Sequence, residues 1–105
     1  MYLDVATVAA VDIAACFAEN LIRCRKRAGI SQEELGIRAS LHRTEISQLE
    51  RGLRIARIDT LVKLAGALSI PPYELIDGIA WTPGGAPTSG EFKRATTPPP
   101  QPDLN

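Results

Sequence analysis

Residues 31–52 read SQEELGIRASLHRTEISQLERG, and their pattern predicts two short helices joined by a tight turn. Ser31 can accept from the Glu34 amide while the Glu34 carboxylate reaches back to the Ser31 amide, which is the capping box that begins a helix. The turn falls at residues 40 and 41, and Gly52 ends the second helix. Helical spacing places four apolar residues inward: Leu35, Ala39, Ile46 and Leu49.

Apolar residues at helical spacing on either side of this pair predict three further helices. The first begins at an Asp12 N-cap and ends at Gly29. The fourth spans about residues 59–68, and Pro71 begins a short fifth helix that Gly78 closes. Since no alternating pattern of useful length appears, the predicted fold class is all-α with five helices.

The composition changes sharply near residue 81. All eight prolines lie at or after Pro71, and Leu104 is the one large aliphatic residue from position 82 onward. Such a segment buries too little apolar surface to offset its ordering entropy, and Pro98–Pro100 should be locally extended. The predicted division is an N-terminal extension at 1–11, a helix-turn-helix domain at 12–80 and an extended or flexible Pro/Gly-rich tail at 81–105.

Length and charge exclude several classes of protein. A chain of 105 residues has room for one small domain, and acidic residues interrupt its apolar start, so no membrane span is expected. The first positive charge is Arg23, so a secretory signal is not indicated and a cytoplasmic location is expected. Total charge is zero, yet residues 23–57 carry nine basic against four acidic residues, a net charge of +5.

The reactive side chains do not suggest catalysis or metal binding. Cys16 and Cys24 lie eight residues apart in one predicted helix, about 12 Å along its axis, so they cannot pair with each other. With His42 as the single histidine, metal-ligand spacing and a nucleophile arrangement are both missing. We expect small buried or half-buried cysteines, no cofactor, no metal and no enzyme activity.

From Phe17 to Ile76 the chain resembles the phage-repressor and Cro-like helix-turn-helix family, often called XRE-type regulators. Residues that fall in register include Ser31-Gln32, Leu49-Glu50-Arg51-Gly52 and the later apolar positions of the fourth helix. The resemblance implies a lambda-repressor-like domain that binds double-stranded DNA and regulates transcription. The segment from Gly78 to Phe92 also looks like the C-terminal end of many actinobacterial members.

The third helix carries the residues predicted to read bases. Its outward face, left free by the inward apolar positions, presents Arg43, Thr44, Ser47 and Gln48. Arginine can bond guanine O6 and N7, and glutamine can bond adenine N6 and N7. Glu45 lies on or beside this face, where it could accept from cytosine N4 or pair with Arg38.

The predicted phosphate contacts are Gln32, His42, Arg54 and Arg57. The resemblance implies the phosphate contact of Gln32, and its place at a helix N-terminus, whose free amides attract anions, supports it. The resemblance also implies an ion pair between Arg25 and Glu50.

Two positions depart from the family pattern. Ser40 stands where the family usually has glycine, so the turn can form only at some cost in backbone strain. Gly36 stands where the family prefers alanine, a loss of about 1 kcal/mol of helix propensity unless a close contact between helices needs it.

A dimeric repressor on an inverted repeat is the leading prediction, because one small domain reads only a few base pairs. The apolar residues without an assigned internal partner are Tyr73, Ile76, Ile79 and Trp81, which form the predicted dimer surface. The apolar segment at residues 2–11 is the competing surface. The alternative function is an antitoxin or co-regulator whose main role is binding a protein partner through the C-terminal tail.

Overall fold

The computed structural model describes residues 12–95. Within that range the chain forms four α-helices, a 3₁₀ helix and two strands: α1 (Ile13–Ala28), α2 (Gln32–Ala39), α3 (Arg43–Glu50), α4 (Ile58–Leu68), the 3₁₀ helix (Pro72–Leu75), β1 (Ile79–Pro83) and β2 (Gly90–Arg94). Predictions for residues 1–11 and 96–105, including the Pro98–Pro100 run, lie outside the described residues. Across residues 12–95 no helix is both long and apolar enough to cross a membrane.

Side-chain caps set the start of the first two helices. The Asp12 carboxylate accepts from the amides of Ala14 and Ala15 at 3.0 and 3.3 Å. Ser31 Oγ accepts from the Glu34 amide at 3.0 Å, as the capping box predicts. The expected return bond from Glu34 is replaced by a salt bridge, in which Arg38 Nε donates to Glu34 Oε2 at 2.8 Å.

The turn between α2 and α3 depends on two unusual positions. Ser40 adopts the left-handed conformation that its place requires, with φ at 57°. Gly36 has no room for a side chain, because a Cβ there would lie 2.7 Å from the backbone oxygen of Leu41. The close approach that could justify glycine at position 36 is therefore present, and it lets the turn fold tightly against α2.

The core lies where α1, α2, α3, α4 and the 3₁₀ helix meet. Each contributes at least one fully buried side chain: Leu21 from α1, Leu35 from α2, Ile46 and Leu49 from α3, Leu64 from α4 and Leu75 from the 3₁₀ helix. Burying these residues holds α3 by its inner face, which leaves its opposite face free of the core.

Asn20 is a buried polar anchor that sequence reasoning missed. Its Nδ2 donates to the backbone oxygens of Leu75 and Asp77 at 3.0 and 2.9 Å, and its Oδ1 accepts from Arg23 at 2.9 Å. These bonds tie α1 to the chain that leaves the 3₁₀ helix. The sequence signal for this role was a polar residue next to Leu21 on the apolar face of the helix.

The prediction of five α-helices in an all-α fold is wrong, although the mainly helical helix-turn-helix architecture is confirmed. The expected fifth helix is a single 3₁₀ turn, too short for α-helical hydrogen bonding to propagate. After it, β1 and β2 pair antiparallel, with Trp81 opposite Phe92 and their rings 5.0 Å apart in an edge-to-face contact.

The hairpin crosses the predicted domain boundary at residue 80. Within the predicted tail, residues 81–83 and 90–94 are therefore extended as strands and paired with each other. The contact between Trp81 and Phe92 gives the hairpin an apolar pairing. Composition alone does not reveal it, because the two residues are eleven positions apart in a segment rich in glycine, proline and threonine.

Candidate nucleic-acid interface

The two faces of α3 differ in exposure. Ile46 and Leu49 are at most 1% exposed. On the other side, Arg43 and Thr44 are exposed, and Ser47 and Gln48, one turn later, are half-buried. The structure thus brings the four predicted base-reading residues together on one outward surface, called here the outer face of α3.

Beneath this helix, Arg25 and Glu50 form a bidentate ion pair. Arg25 Nε donates to Glu50 Oε2 at 2.5 Å and Nη2 donates to Oε1 at 2.9 Å. The side chains are only 13% and 5% exposed. Arg25 also donates to the backbone oxygen of Ile30 at 2.9 Å, so the pair joins α1, the α1–α2 loop and the last residue of α3.

The protonation of Glu50 follows from this environment. Burial by itself would raise the pKa of Glu50, but the hydrogen bonds from Arg25 and Gln32, together with the positive charges of Arg25 and Lys26, lower the pKa below the ordinary value of 4.5. Glu50 is therefore charged at neutral pH, and its partner Arg25 has its pKa raised by the same hydrogen bond.

Gln32, a predicted phosphate contact, lies at the first position of α2 and takes part in the same cluster. Its Nε2 donates to Glu50 Oε1 at 3.0 Å. A side-chain amide nitrogen carries two hydrogens, so one remains for another acceptor. Gln32 and Arg43 also line one open depression, together with Arg25, Ser31 and Glu33.

The other predicted phosphate contacts lie in the segments that precede and follow α3. His42 is the N-cap residue of α3 by backbone conformation, but its side chain makes no capping hydrogen bond. Arg57 lies 3.4 Å from an Asp59 oxygen in an exposed pair. Arg54 Nη1 donates to Gln48 Oε1 at 3.1 Å, a contact between a predicted phosphate residue and a predicted base-reading residue.

Sequence reasoning did not find this Arg54 contact, because it depends on how the chain reverses after α3. It also left the partner of Glu45 open. Arg38 forms its salt bridge with Glu34, one turn earlier on α2, and Glu45 is half-buried on α3.

The predicted dimer residues lie on the 3₁₀ helix, on β1 and between these two elements. Tyr73, Ile76 and Trp81 are exposed and Ile79 is half-buried. Ile76 and Ile79 line an apolar groove of about 180 Å³ with residues from α1, α4 and the preceding loop: Ile13, Ala14, Phe17, Ile55, Ala56 and Leu61. Tyr73 and Trp81 lie outside that groove lining, and Trp81 contacts Phe92 instead.

Both cysteines are free and buried, as predicted. Burial raises the pKa of the Cys24 thiol, so the thiolate is disfavoured at neutral pH. Within residues 12–95 no three histidine, cysteine or acidic side chains lie close enough together to hold a metal ion.

The chain is similar to known regulatory proteins over the region that contains this surface. Residues 21–75 match the family model HTH_3, described as helix-turn-helix. Control protein C.BamHI from Bacillus amyloliquefaciens is 41% identical over 51 residues, which cover 49% of this chain and 63% of that protein's length. The uncharacterized HTH-type transcriptional regulator y4dJ from Sinorhizobium fredii is 35% identical over 75 residues, 71% of this chain and 97% of the relative.

Among solved structures, the restriction-modification controller protein C.AhdI from Aeromonas hydrophila superposes with a TM-score of 0.58 at 37% identity. The match covers 59% of this chain and 90% of the controller protein.

Proposed function

The chain belongs to the HTH_3 helix-turn-helix family and is a DNA-binding transcriptional regulator, and from this premise we propose that α3 enters the major groove and reads base edges. The observation that carries the proposal is the division of α3 into a buried apolar face and an outer face of four polar residues. The major groove admits one α-helix, and base edges there are read by side chains of this kind.

The outer face offers different chemistry along its length. Arg43 is exposed at the first turn of α3, where a guanidinium can donate to guanine O6 and N7. Thr44 and Ser47 can donate or accept, and Gln48 ends the row. In recognition helices of this motif, the N-terminal residues contact the bases, so Arg43 is the principal reader.

Contacts to the DNA phosphate backbone would hold α3 in register with the base pairs. The depression lined by Gln32 and Arg43 lies at the N-terminus of α2, where free amides and the positive end of the helix dipole favour a phosphate. Gln32 keeps one amide hydrogen for that phosphate while the other holds Glu50. His42, Arg54 and Arg57 would add contacts to further phosphates of the DNA strand.

We infer further that two copies act together as a repressor on an inverted repeat, with half-sites about one helical turn, roughly 34 Å, apart. The groove at Ile76 and Ile79 and the exposed Tyr73 and Trp81 offer apolar surface outside the outer face of α3. A two-fold interface there leaves both recognition helices free for DNA.

This dimer surface is tested by sedimentation of Ile76→Asp and Trp81→Ala variants. The first should give monomers, because it places a charge in the apolar groove, and the second should weaken association less. Ile37→Asp, on an exposed residue of α2, is the matched control and should stay dimeric. If both interface variants associate as tightly as the wild-type chain, the surface is misassigned.

The alternative role of binding a protein partner through the tail gains no support from residues 81–95. Its motive was a flexible segment that folds onto a partner, and these residues form a hairpin with an internal aromatic contact. DNA regulation is therefore the single function proposed.

Salt dependence tests the mode of binding. Affinity for an enriched oligonucleotide should fall steeply between 50 and 200 mM salt, by roughly tenfold or more, because each phosphate contact displaces a counterion. Fluorescence anisotropy at several salt concentrations measures the slope. Arg57→Ala should make that slope shallower, whereas a flat response in the wild-type protein would contradict phosphate-anchored binding.

A further inference from the structure

We propose that β2 pairs along its free edge with β2 of a second copy of the chain, antiparallel and centred on Phe92, so that two hairpins form one four-stranded sheet. This inference rests on the proposed function for the action of two copies together. It extends the proposed dimer surface to a strand that contains none of the predicted dimer residues.

One edge of β2 has no partner strand. Within residues 12–95 the sheet consists of β1 and β2, so each strand is paired on one side only. A hairpin by itself is marginally stable in water, and the unpaired backbone groups along its edge can bind a further strand. The edge of β2 is therefore a surface on which another strand can add.

The register of the hairpin determines which backbone groups of β2 lie on this edge. The Ala95 amide donates to the Gly78 oxygen at 2.8 Å, just beyond the ends of the two strands. Hydrogen-bonded pairs alternate along an antiparallel ladder, so the N–H and C=O of Lys93 face β1, whereas those of Phe92 and Arg94 face away. Phe92, at the centre of β2, thus offers one donor and one acceptor to a second strand.

The charges of β2 are self-complementary about Phe92. Glu91 and Lys93 lie on either side of it and share one face of the sheet, with Lys93 Nζ 3.4 Å from Glu91 Oε2. In an antiparallel pair centred on Phe92, Glu91 of each copy is opposite Lys93 of the other. These are non-hydrogen-bonded positions, where facing side chains are closest and opposite charges stabilise the pair.

Other registers lose one of these two matches. Displacing the strands by two residues keeps the backbone groups matched, but it places Glu91 opposite Glu91 or Lys93 opposite Lys93, which is destabilising. Displacing them by one residue brings the outward groups of one strand opposite residues whose groups face β1. The register centred on Phe92 satisfies both the backbone and the charges, so the edge favours a second copy of this chain.

The aromatic face of the hairpin supplies apolar contact to the same interface. Trp81 is 52% exposed and Phe92 is 40% exposed, even though their rings lie 5.0 Å apart. Because residues opposite each other on paired strands share a face, the two copies of Phe92 would lie side by side. The result is a row of four rings across the sheet, which joins the edge of β2 to Trp81 of the proposed dimer surface.

The edge of β1 is less suited to this pairing. Its outward-facing positions include Pro83, which has no N–H to donate. The strand, Ile79–Pro83, also carries no charged residue that could specify a register. The proposal therefore concerns β2 alone.

Charge reversal tests the edge. Glu91→Lys and Lys93→Glu each replace two opposite-charge pairs by like-charge pairs, and each should raise the dimer dissociation constant roughly tenfold or more. The double variant, Glu91→Lys with Lys93→Glu, exchanges the two charges and should associate like the wild-type chain. Glu33→Lys, at an exposed position of α2, makes the same change in net charge and is the control that should also associate like wild type. Sedimentation equilibrium at low salt measures all four.

Mixing the two single variants tests the register. One then carries two positive charges on β2 and the other two negative charges, so every facing pair in the mixed dimer is of opposite sign. The mixture should associate more tightly than either variant alone. A mixture that associates no better than its components would overturn the antiparallel pairing centred on Phe92.

Amide hydrogen exchange separates pairing at β2 from association at another surface. The Phe92 amide faces away from β1, so it should exchange slowly in the wild-type dimer and rapidly in Glu91→Lys. The Lys93 amide, bonded within the hairpin, should be protected in both proteins. Rapid exchange at Phe92 in a wild-type dimer would place the interface elsewhere and overturn this inference.

Failure of this inference differs from failure of the proposed function. If both single reversals associate as tightly as wild type, β2 is not in the interface, while base reading by α3 is still tested by the selected DNA consensus. If the wild-type chain is monomeric both free and on DNA, the proposed dimer fails together with this inference.

Discussion

The inner and outer faces of α3 carry a similar contact in opposite surroundings. On the inner side, Arg25 donates to Glu50, whose side chain is 5% exposed. On the outer side, Arg54 donates to Gln48 in solvent-exposed surroundings. Losing one partner of a buried ion pair leaves the other charge buried and unpaired, whereas water replaces a lost partner at the surface. The buried ion pair therefore stabilises the fold on one face, whereas the exposed bond between Arg54 and Gln48 on the other contributes little to stability.

The largest stability effect is expected from Ile46→Ala, because Ile46 is fully buried on the inner face. The substitution should lower the free energy of unfolding by about 4 kcal/mol through lost burial and the cavity left behind. Ile37→Ala is the matched control, since Ile37 on α2 is 69% exposed. Urea denaturation measures both, and similar losses in the two variants would break the distinction between the faces.

Glu50→Ala should cost about 3 kcal/mol of unfolding free energy, because it leaves Arg25 charged and largely buried without its partner. Glu45→Ala is the control on the same helix, at a half-buried position, and should change stability by about 0.5 kcal/mol or less. Chemical denaturation of the two variants gives the comparison. A negligible loss in Glu50→Ala would mean that the pair does not hold α3 in place.

Gly36→Ala tests the tight turn that brings α3 against α2. A Cβ at position 36 would meet the Leu41 backbone oxygen at 2.7 Å, so we expect a loss of about 1 to 3 kcal/mol. At Gly66, in α4, a Cβ meets nothing within 4 Å, and Gly66→Ala should instead gain about 0.5 to 1 kcal/mol of helix propensity. Thermal melts should show opposite shifts, and two stabilising shifts would contradict the close approach.

Acid should remove the stability contributed by the Arg25–Glu50 ion pair, a smaller effect than the three above. The pKa of Glu50 is lowered in the folded protein, so its ion pair contributes stability above the ordinary value of 4.5. That contribution is lost as pH falls from 4.5 through the folded-state pKa, because the folded protein must then take up a proton at a site that disfavours it. Denaturation midpoints between pH 6 and pH 3 measure this loss. Glu50→Gln should show a shallower decline, and a parallel decline would assign the acid sensitivity to other groups.

The sequence predicts the helix caps and the inner face of α3 well, because local chemistry specifies them. Asp12 and Ser31 cap helices in the structure as their positions predict, and Ile46 and Leu49 are buried as their spacing predicts. The meeting of Arg25 with Glu50 was expected from family resemblance alone, since residues 25 positions apart give no local signal.

The outer face and the hairpin depend on contacts that periodicity does not reveal. The bond between Arg54 and Gln48 requires the chain reversal at Gly52, which fixes where an exposed side chain lands. The pairing of Trp81 with Phe92 requires two short strands whose alternation is broken by proline and glycine. Long-range partners of exposed residues are thus the part that sequence patterns leave undetermined.

The most direct test of the central claim is to compare the DNA consensus selected by the wild-type protein and by Arg43→Ala. Arg43 is on the outer face, so its loss should change unfolding free energy by about 0.5 kcal/mol or less. The variant should lose guanine preference at one base pair of each half-site, by roughly fivefold or more, and keep the rest of the consensus. An unchanged consensus from a folded Arg43→Ala protein would contradict the assignment of this face to base reading.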